Sequence, residues 1–308
     1  MAFQFPRCEV VPTADHQAVF RIDGEERLRW HYGPDYPRPF LYPLVGPSGT
    51  VLTRMGHPGA PNHDHHRSIW FAHNKVLGID FWADRKPPKI YQKDWYCYVD
   101  GADEAVMAVQ LGWQDGHDPK DLLVQDVIVA VRPGPDKELF LEIQTTFKPV
   151  AAELEFGKTN FGFLAVRVAK HLSAHFGGGE LTGSDGTKGE PALFGKAFRW
   201  MDYSGPAPGG DQEGITYFDH PGNPGHPVKW HVREDGWMGA SVCMDGPHTI
   251  SKEGPLTLRY LLWAHRGQHK LDKAAKVFQD FSNLGMWELV KQPVKHTMWG
   301  VKRLPVRG

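Results

Sequence analysis

The chain has no long apolar run: nowhere in its 308 residues is there the span of about 20 that a membrane-crossing helix requires. No basic segment followed by an apolar stretch opens the sequence, so a secretory leader is not expected either. Charge of one sign is equally scarce. Lys plus Arg number 35 against 36 for Asp plus Glu, a net charge of −1, which removes the electrostatic footprint of a nucleic-acid or anionic-membrane binder. There are three cysteines, Cys8, Cys97 and Cys243, with no CxxC spacing. They suggest neither a disulfide framework nor a structural zinc site and suit a reducing cytoplasm. GxGxxG, GxxxxGK[ST], GxSxG and HExxH are all missing, so nucleotide cradling, a serine nucleophile on an elbow and a zincin helix have no support.

Helical periodicity is rare as well. One segment carries it: Leu271, Ala274, Ala275, Phe278 and Phe281 fall on one face, with Asp272 placed to cap the start and Gly285 to stop the run. Elsewhere the apolar residues recur at period two, between turn clusters rich in the 34 glycines and 25 prolines. Ala18 to Ile22, Pro39 to Leu44, Ile90 to Val99, Ala105 to Trp113, Leu122 to Val131, Leu139 to Phe147 and Gly162 to Val168 read as strands. So do Lys196 to Tyr203, Gly214 to Phe218, Trp230 to Val232, Ala240 to Met244 and Leu256 to Ala264. Gly46-Pro47-Ser48-Gly49, between apolar runs, marks a hairpin. Val124, Val127, Val129 and Val131 sit among Gln125, Asp126 and Ile128, so part of that strand is expected to be buried on both faces. The expected fold is a large antiparallel all-β sandwich with one C-terminal helix, as a single domain over 1–308.

The 17 histidines are unevenly spread, and five of them, His57, His63, His65, His66 and His73, lie within 17 positions. In His63-Asp64-His65-His66-Arg67-Ser68-Ile69-Trp70 a polar loop leads into a strand, so several imidazoles and a guanidinium can converge at a sheet's mouth. Imidazole suits both proton transfer near neutrality and metal ligation. A second cluster, His220 to Arg233, combines three prolines with His220, Asn223, His231 and Arg233. At period two, His231 and Arg233 share a face opposite Trp230 and Val232. Between the clusters, Lys158 and Asn160 alternate, and Arg167 ends an apolar strand, where a cation is paired or faces a ligand. Trp70, Trp200, Tyr203 and Trp230 accompany these groups. Aromatic faces beside fixed hydrogen-bonding groups suit a sugar.

Several blocks resemble one family in the same order. They are Arg38-Pro-Phe-Leu-Tyr-Pro-Leu, His63-Asp-His-His-Arg-Ser-Ile-Trp-Phe-Ala, Gly78-Ile-Asp-Phe-Trp, Phe161-Gly-Phe-Leu-Ala-Val-Arg, Trp200-Met-Asp-Tyr-Ser-Gly, Tyr217-Phe-Asp-His-Pro-Gly-Asn-Pro and Trp230-His-Val-Arg. Together they are similar to the PmoA-like family of bacterial proteins, over roughly residues 20 to 285. The family label names a membrane oxygenase subunit, which a chain without a spanning segment does not fit. The resemblance implies instead a mutarotase-like β-supersandwich and a link to carbohydrate use. Two departures stand out, Gly183-Ser184-Asp185-Gly186 in place of the family's Asn-Ser-Gly, and Asp235 where the family favours Tyr before Gly236.

These readings converge on a carbohydrate-active enzyme (a lyase, isomerase or hydrolase) with a small-molecule sugar substrate. His65, His66, His220 and His231 are the candidate acid/base groups, and Arg67 and Lys158 the candidate oxyanion stabilisers. His63, Trp70, Arg167, Trp200, Tyr203, Asn223, Trp230 and Arg233 are the candidate substrate contacts. No cofactor is named by any motif. Two alternatives stay open: a non-catalytic sugar-binding or sensing protein, and a metal-dependent enzyme using His63, His65 and His66 as ligands.

Overall fold

The computed structural model describes residues 5–57, 60, 63–85 and 87–305. Two eight-stranded antiparallel sheets enclose the main core. The chain lays down β1 (Cys8–Thr13), β2 (Gln17–Ile22), β3 (Glu25–His31), β4 (Phe40–Leu44) and β5 (Ile69–His73) as successive neighbours in the first sheet. It then crosses to the second sheet for β6 (Lys89–Val99), β7 (Ala105–Gln114), β8 (Leu123–Pro133) and β9 (Leu139–Pro149). After the short β10 (Glu153–Phe156), β11 (Gly162–Arg167) returns to pair with β5.

The second sheet gains β12 (Glu180–Gly183), β13 (Trp200–Pro206) and β14 (Gln212–Asp219), the short helix α1 (Glu190–Leu193) lying between the first two. The hairpin of β15 (Trp230–Arg233) and β16 (Trp237–Ala240) then closes the first sheet beside β11. β17 (His248–Ser251) pairs with β10, and β18 (Leu256–Arg266) fills the centre of the second sheet between β14 and β9. Helix α2 (Leu271–Ser282) and the ribbon of β19 (Trp287–Val294) and β20 (Thr297–Arg303) end the described chain.

Alternation assigns each face. In β8, Val127, Val129 and Val131 enter the inter-sheet core, while Ile128 and Ala130 pack outward with Trp287 under the terminal ribbon. Both faces are therefore covered, and the uninterrupted apolar run follows. Under α2 the outward residues Trp200, Phe218, Leu261 and Trp263 meet Ala274 and Phe281. The helix lies where its periodicity places it, but Leu271 and Ala275 are exposed, and the N-cap is Lys270, with Asp272 in the first turn. The strand expected over Ala240 to Met244 instead ends at Ala240. None of the described helices is long and apolar enough to cross a membrane.

Candidate functional site: a cavity on the outer face of the first sheet

The strand alternation that buries Leu164, Val166, Trp230 and Val232 between the sheets turns Ala165, Arg167, His231 and Arg233 to the opposite face. Register then aligns them. Arg167 pairs with Trp237 and Trp237 with Arg233, one row across β11, β16 and β15. In the next row Trp70 faces Ala165, Ala165 faces Gly239, and Gly239 faces His231. The small residues Ala165 and Gly239 leave room for the indoles of Trp82 and Trp237 to cross the sheet, their rings 5.1 Å apart.

Two segments wall this face. The 63–66 loop sets His66 over the row, its ring 4.8 Å from Trp237, with His63 and His65 at 4.9 and 4.3 Å from His66. The 80–84 segment is fixed from below by Arg38, a buried guanidinium that donates to the carbonyls of Phe81, Trp82 and Ala83 and to Asp84. Asp80 accepts from the amides of Trp82 and Ala83, completing the turn. Phe161 closes the ring, 5.5 Å from Trp82 and 4.9 Å from His231. The result is a cavity of about 360 Å³ lined by His63, His65, His66, Asn74, Asp80, Trp82, Ala83, Phe161, Arg167, His231, Arg233, Asp235 and Trp237. That volume lies within the range of small-molecule sites, and so does the mixture of aromatic walls with a few convergent polar groups.

The polar groups are organised around Asp235, in the β15–β16 turn. One carboxylate oxygen accepts from Arg167 Nη1 at 2.7 Å, the other lies 2.9 Å from His57 Nε2, and its backbone carbonyl accepts from Arg54 Nη2 at 2.6 Å. Although burial opposes ionisation, Arg167 and His57 hold this carboxyl below the usual carboxylate range. Burial lowers His63, which the neighbouring His57 and Arg167 depress further. It drives His66 far down, with His65 and Arg167 adding to the effect. His231 is lowered to about 4, first by burial and then by Arg233. His231 Nδ1 lies 3.2 Å from the carbonyl of Asn160, which fixes the tautomer with the proton on Nδ1 and the lone pair on Nε2.

Of the residues singled out from sequence, His63, His65, His66, Arg167, His231 and Arg233 meet at this cavity. The others do not. Arg67 is ion-paired with Asp84 and lies over the ring of Tyr36. Lys158 is exposed, and Trp70 is buried behind His66. His220 and Asn223 belong to a separate buried knot under α2. There His220 lies against Arg259 and Phe281, and Asn223 bridges Asp219 and the backbone of Arg259. Trp200 packs on Phe278 of α2, Trp230 is core, and Tyr203 reaches the site only through its hydroxyl, which donates to the Arg233 carbonyl. The physical reason is topological: β14 lies in the second sheet and β15 in the first, so the proline-rich segment between them spans the molecule and only its end arrives here.

Sequence reasoning left out Asn74, Asp80, Trp82, Ala83, Phe161, Asp235 and Trp237 from the candidate contacts. Asp235 had a readable signal, continuing the period-two series His231, Arg233 through the hairpin. As for metals, the described residues contain one group whose donor atoms converge, Asp202, His265 and His269, and it lies under α2 rather than in the cavity. Asp202 Oδ2 there already accepts from Thr216 and lies 2.8 Å from His265 Nε2 and 3.4 Å from His269 Nδ1. Trp200 donates to His269 Nε2 at 3.4 Å, which leaves the proton on Nδ1, the nitrogen facing Asp202.

Fold and site together define an antiparallel β-sandwich protein with a histidine- and arginine-lined cavity on one outer sheet face. The chain belongs to a family of unknown function (DUF6807), whose model matches residues 17–279. No curated protein matches it. Among solved structures it is similar to a putative kojibiose phosphorylase from the human microbiome, with a TM-score of 0.35 and 8% identity. That match covers 91% of this chain and 37% of the other, so the chain spans well under half of that protein's length.

Proposed function

We propose that the cavity binds a small polyhydroxylated molecule of the sugar class and transforms it by proton transfer. The observation carrying this reading is the meeting of His63, His65, His66 and His231 with Arg167 in one cavity walled by Trp82, Phe161 and Trp237. Indole and phenyl faces accept the C–H face of a sugar ring, and the surrounding polar groups match its hydroxyls. His231 is the base. Its tautomer leaves Nε2 unprotonated, and a group lowered to about 4 stays neutral throughout the physiological range. Arg167, locked by Asp235, is a fixed positive group that stabilises oxyanion charge developing when a C–H or O–H proton leaves. The proton taken up on Nε2 of His231 then returns from that atom to the ligand, at the same carbon or at a neighbouring one.

The test begins with a thermal-shift screen of hexoses, pentoses and their acids. Each hit is then incubated in D₂O and followed by proton NMR. Loss or migration of a ring C–H signal with the wild-type protein, slowed about a hundredfold or more in His231→Asn, is the expected result. The variant's melting midpoint should stay within a few degrees. Hits that bind equally well to both proteins and show no chemical change would make the cavity a binding site without catalysis.

A further inference from the structure

Beneath the cavity lie two guanidiniums and one carboxylate. Arg167 is completely buried, Arg54 nearly so, and Asp235 meets both, its carboxylate accepting from Arg167 and its backbone carbonyl from Arg54. Asp235 is itself fully used, one oxygen by Arg167 and the other by His57. Four guanidinium nitrogens are left with no acceptor: Nε and Nη2 of Arg167, Nε and Nη1 of Arg54. Burial and the neighbouring Arg167 lower Arg54 to about 10, the mark of two like charges held together. Unpaired buried cations are expensive, so this surplus of one positive charge calls for a partner.

The geometry of the surplus is specific. Nε and Nη2 of Arg167 form one edge of the guanidinium plane, a fork of two parallel N–H groups that matches the two oxygens of a carboxylate. Further unpartnered buried nitrogens border the same cavity, on Trp82, Trp237 and His66. The indole nitrogens of Trp82 and Trp237 are donors alone, while Nδ1 of His66 donates or accepts according to its tautomer. A ligand rich in acceptors and carrying a single negative charge complements this set. A phosphate monoester, near −2 at neutral pH, would exceed it.

We propose that the ligand is a sugar acid whose carboxylate sits on the Nε/Nη2 edge of Arg167. The inference rests on the sugar-site reading above and names its substrate class. Both nitrogens of the fork are closed off from solvent, so the carboxylate reaches them after a side-chain rearrangement of the kind common on binding. With the carboxylate so held, the proton that His231 removes is one whose loss places charge next to Arg167.

Calorimetry on the full chain tests this with D-glucuronate and D-galacturonate against D-glucose, D-galactose and D-glucose 6-phosphate. At least one hexuronate should bind about tenfold or more tighter than its neutral parent, a preference that shrinks as salt rises from about 0.05 to about 0.5 M. Arg167→Lys keeps the charge and loses the fork, and should cut the preference to about threefold or less. Neutral parents binding as tightly as the acids would overturn the carboxylate assignment and leave the sugar site standing. A phosphorylated sugar binding best would overturn it in favour of a dianion. If none of the five binds, both readings fall together.

Discussion

Asp235 shows how much one side chain can hold in place. Among the described residues it is the only carboxylate hydrogen-bonded to buried Arg167, it anchors His57, and its carbonyl holds Arg54. Asp235→Asn keeps the shape and removes the charge that offsets those cations, leaving Arg167 buried and uncompensated. Breaking such a pair from one side is destabilising by roughly 3–5 kcal/mol, far more than the pair contributes relative to an apolar replacement. Urea unfolding of Asp235→Asn should show that loss, with the slope against denaturant unchanged. A midpoint equal to wild type would mean that the guanidinium is compensated elsewhere. By contrast Arg233, with half of its side chain exposed and Glu190 as partner, is a rim charge, and losing that ion pair should matter little to stability.

At the scale of elements, the β15–β16 hairpin delivers His231, Arg233 and Asp235 to one face, and its turn depends on Gly236. That residue has φ +102°, and a Cβ there would stand 2.9 Å from Val168 Cγ2 and 3.2 Å from Ser173 Cβ. Its carbonyl also accepts from the Val168 amide, tying the turn to the end of β11 beside Arg167. Gly236→Ala should therefore lower stability by about 1–3 kcal/mol and weaken ligand binding together, because the strain falls on the turn that places Asp235. Stability and affinity that move separately would argue against that coupling. The hairpin also shows what was legible beforehand. Period two put His231 and Arg233 on one face and Trp230 and Val232 on the other, and Arg167 at the end of an apolar strand was read as paired or ligand-facing. What no local pattern reveals is which sheet a strand joins. His220 and Asn223 are close in sequence to His231 yet lie away from the cavity because the chain changes sheets between them. The terminal ribbon was missed for a related reason: it lies on the outside of β6, β7 and β8, so among its described residues Trp287 and Gly300 are the buried ones and no clean alternation results.

The molecule as a whole holds many of its histidines in a neutral state, which gives it a direction in pH. Burial lowers His73, His220 and His231 to about 4 and His66 further, and it also lowers His31, His63, His171 and His248. In the unfolded chain each of these takes up a proton near its ordinary value of about 6.5. Between about pH 6.5 and pH 4 the unfolded state thus binds more protons than the folded one, so stability is full above that window and lost as pH falls through it. Each fully shifted histidine contributes up to about 1.4 kcal/mol per pH unit. Other groups work in the opposite sense. His265 is raised because, against burial, buried Asp202 favours its charged form, and Asp219 and Glu213 are raised by burial, so all three favour the folded state on the acid side. They are outnumbered. The melting midpoint should fall steeply when pH is lowered from about 7.5 to about 5, and His73→Gln, at a site remote from the cavity where the ring contacts the Gly157 carbonyl, should make that fall shallower while lowering the midpoint at neutral pH. A midpoint that is flat across this range would show that these imidazoles ionise inside the fold, and with it would go the neutral His231 on which proton abstraction depends.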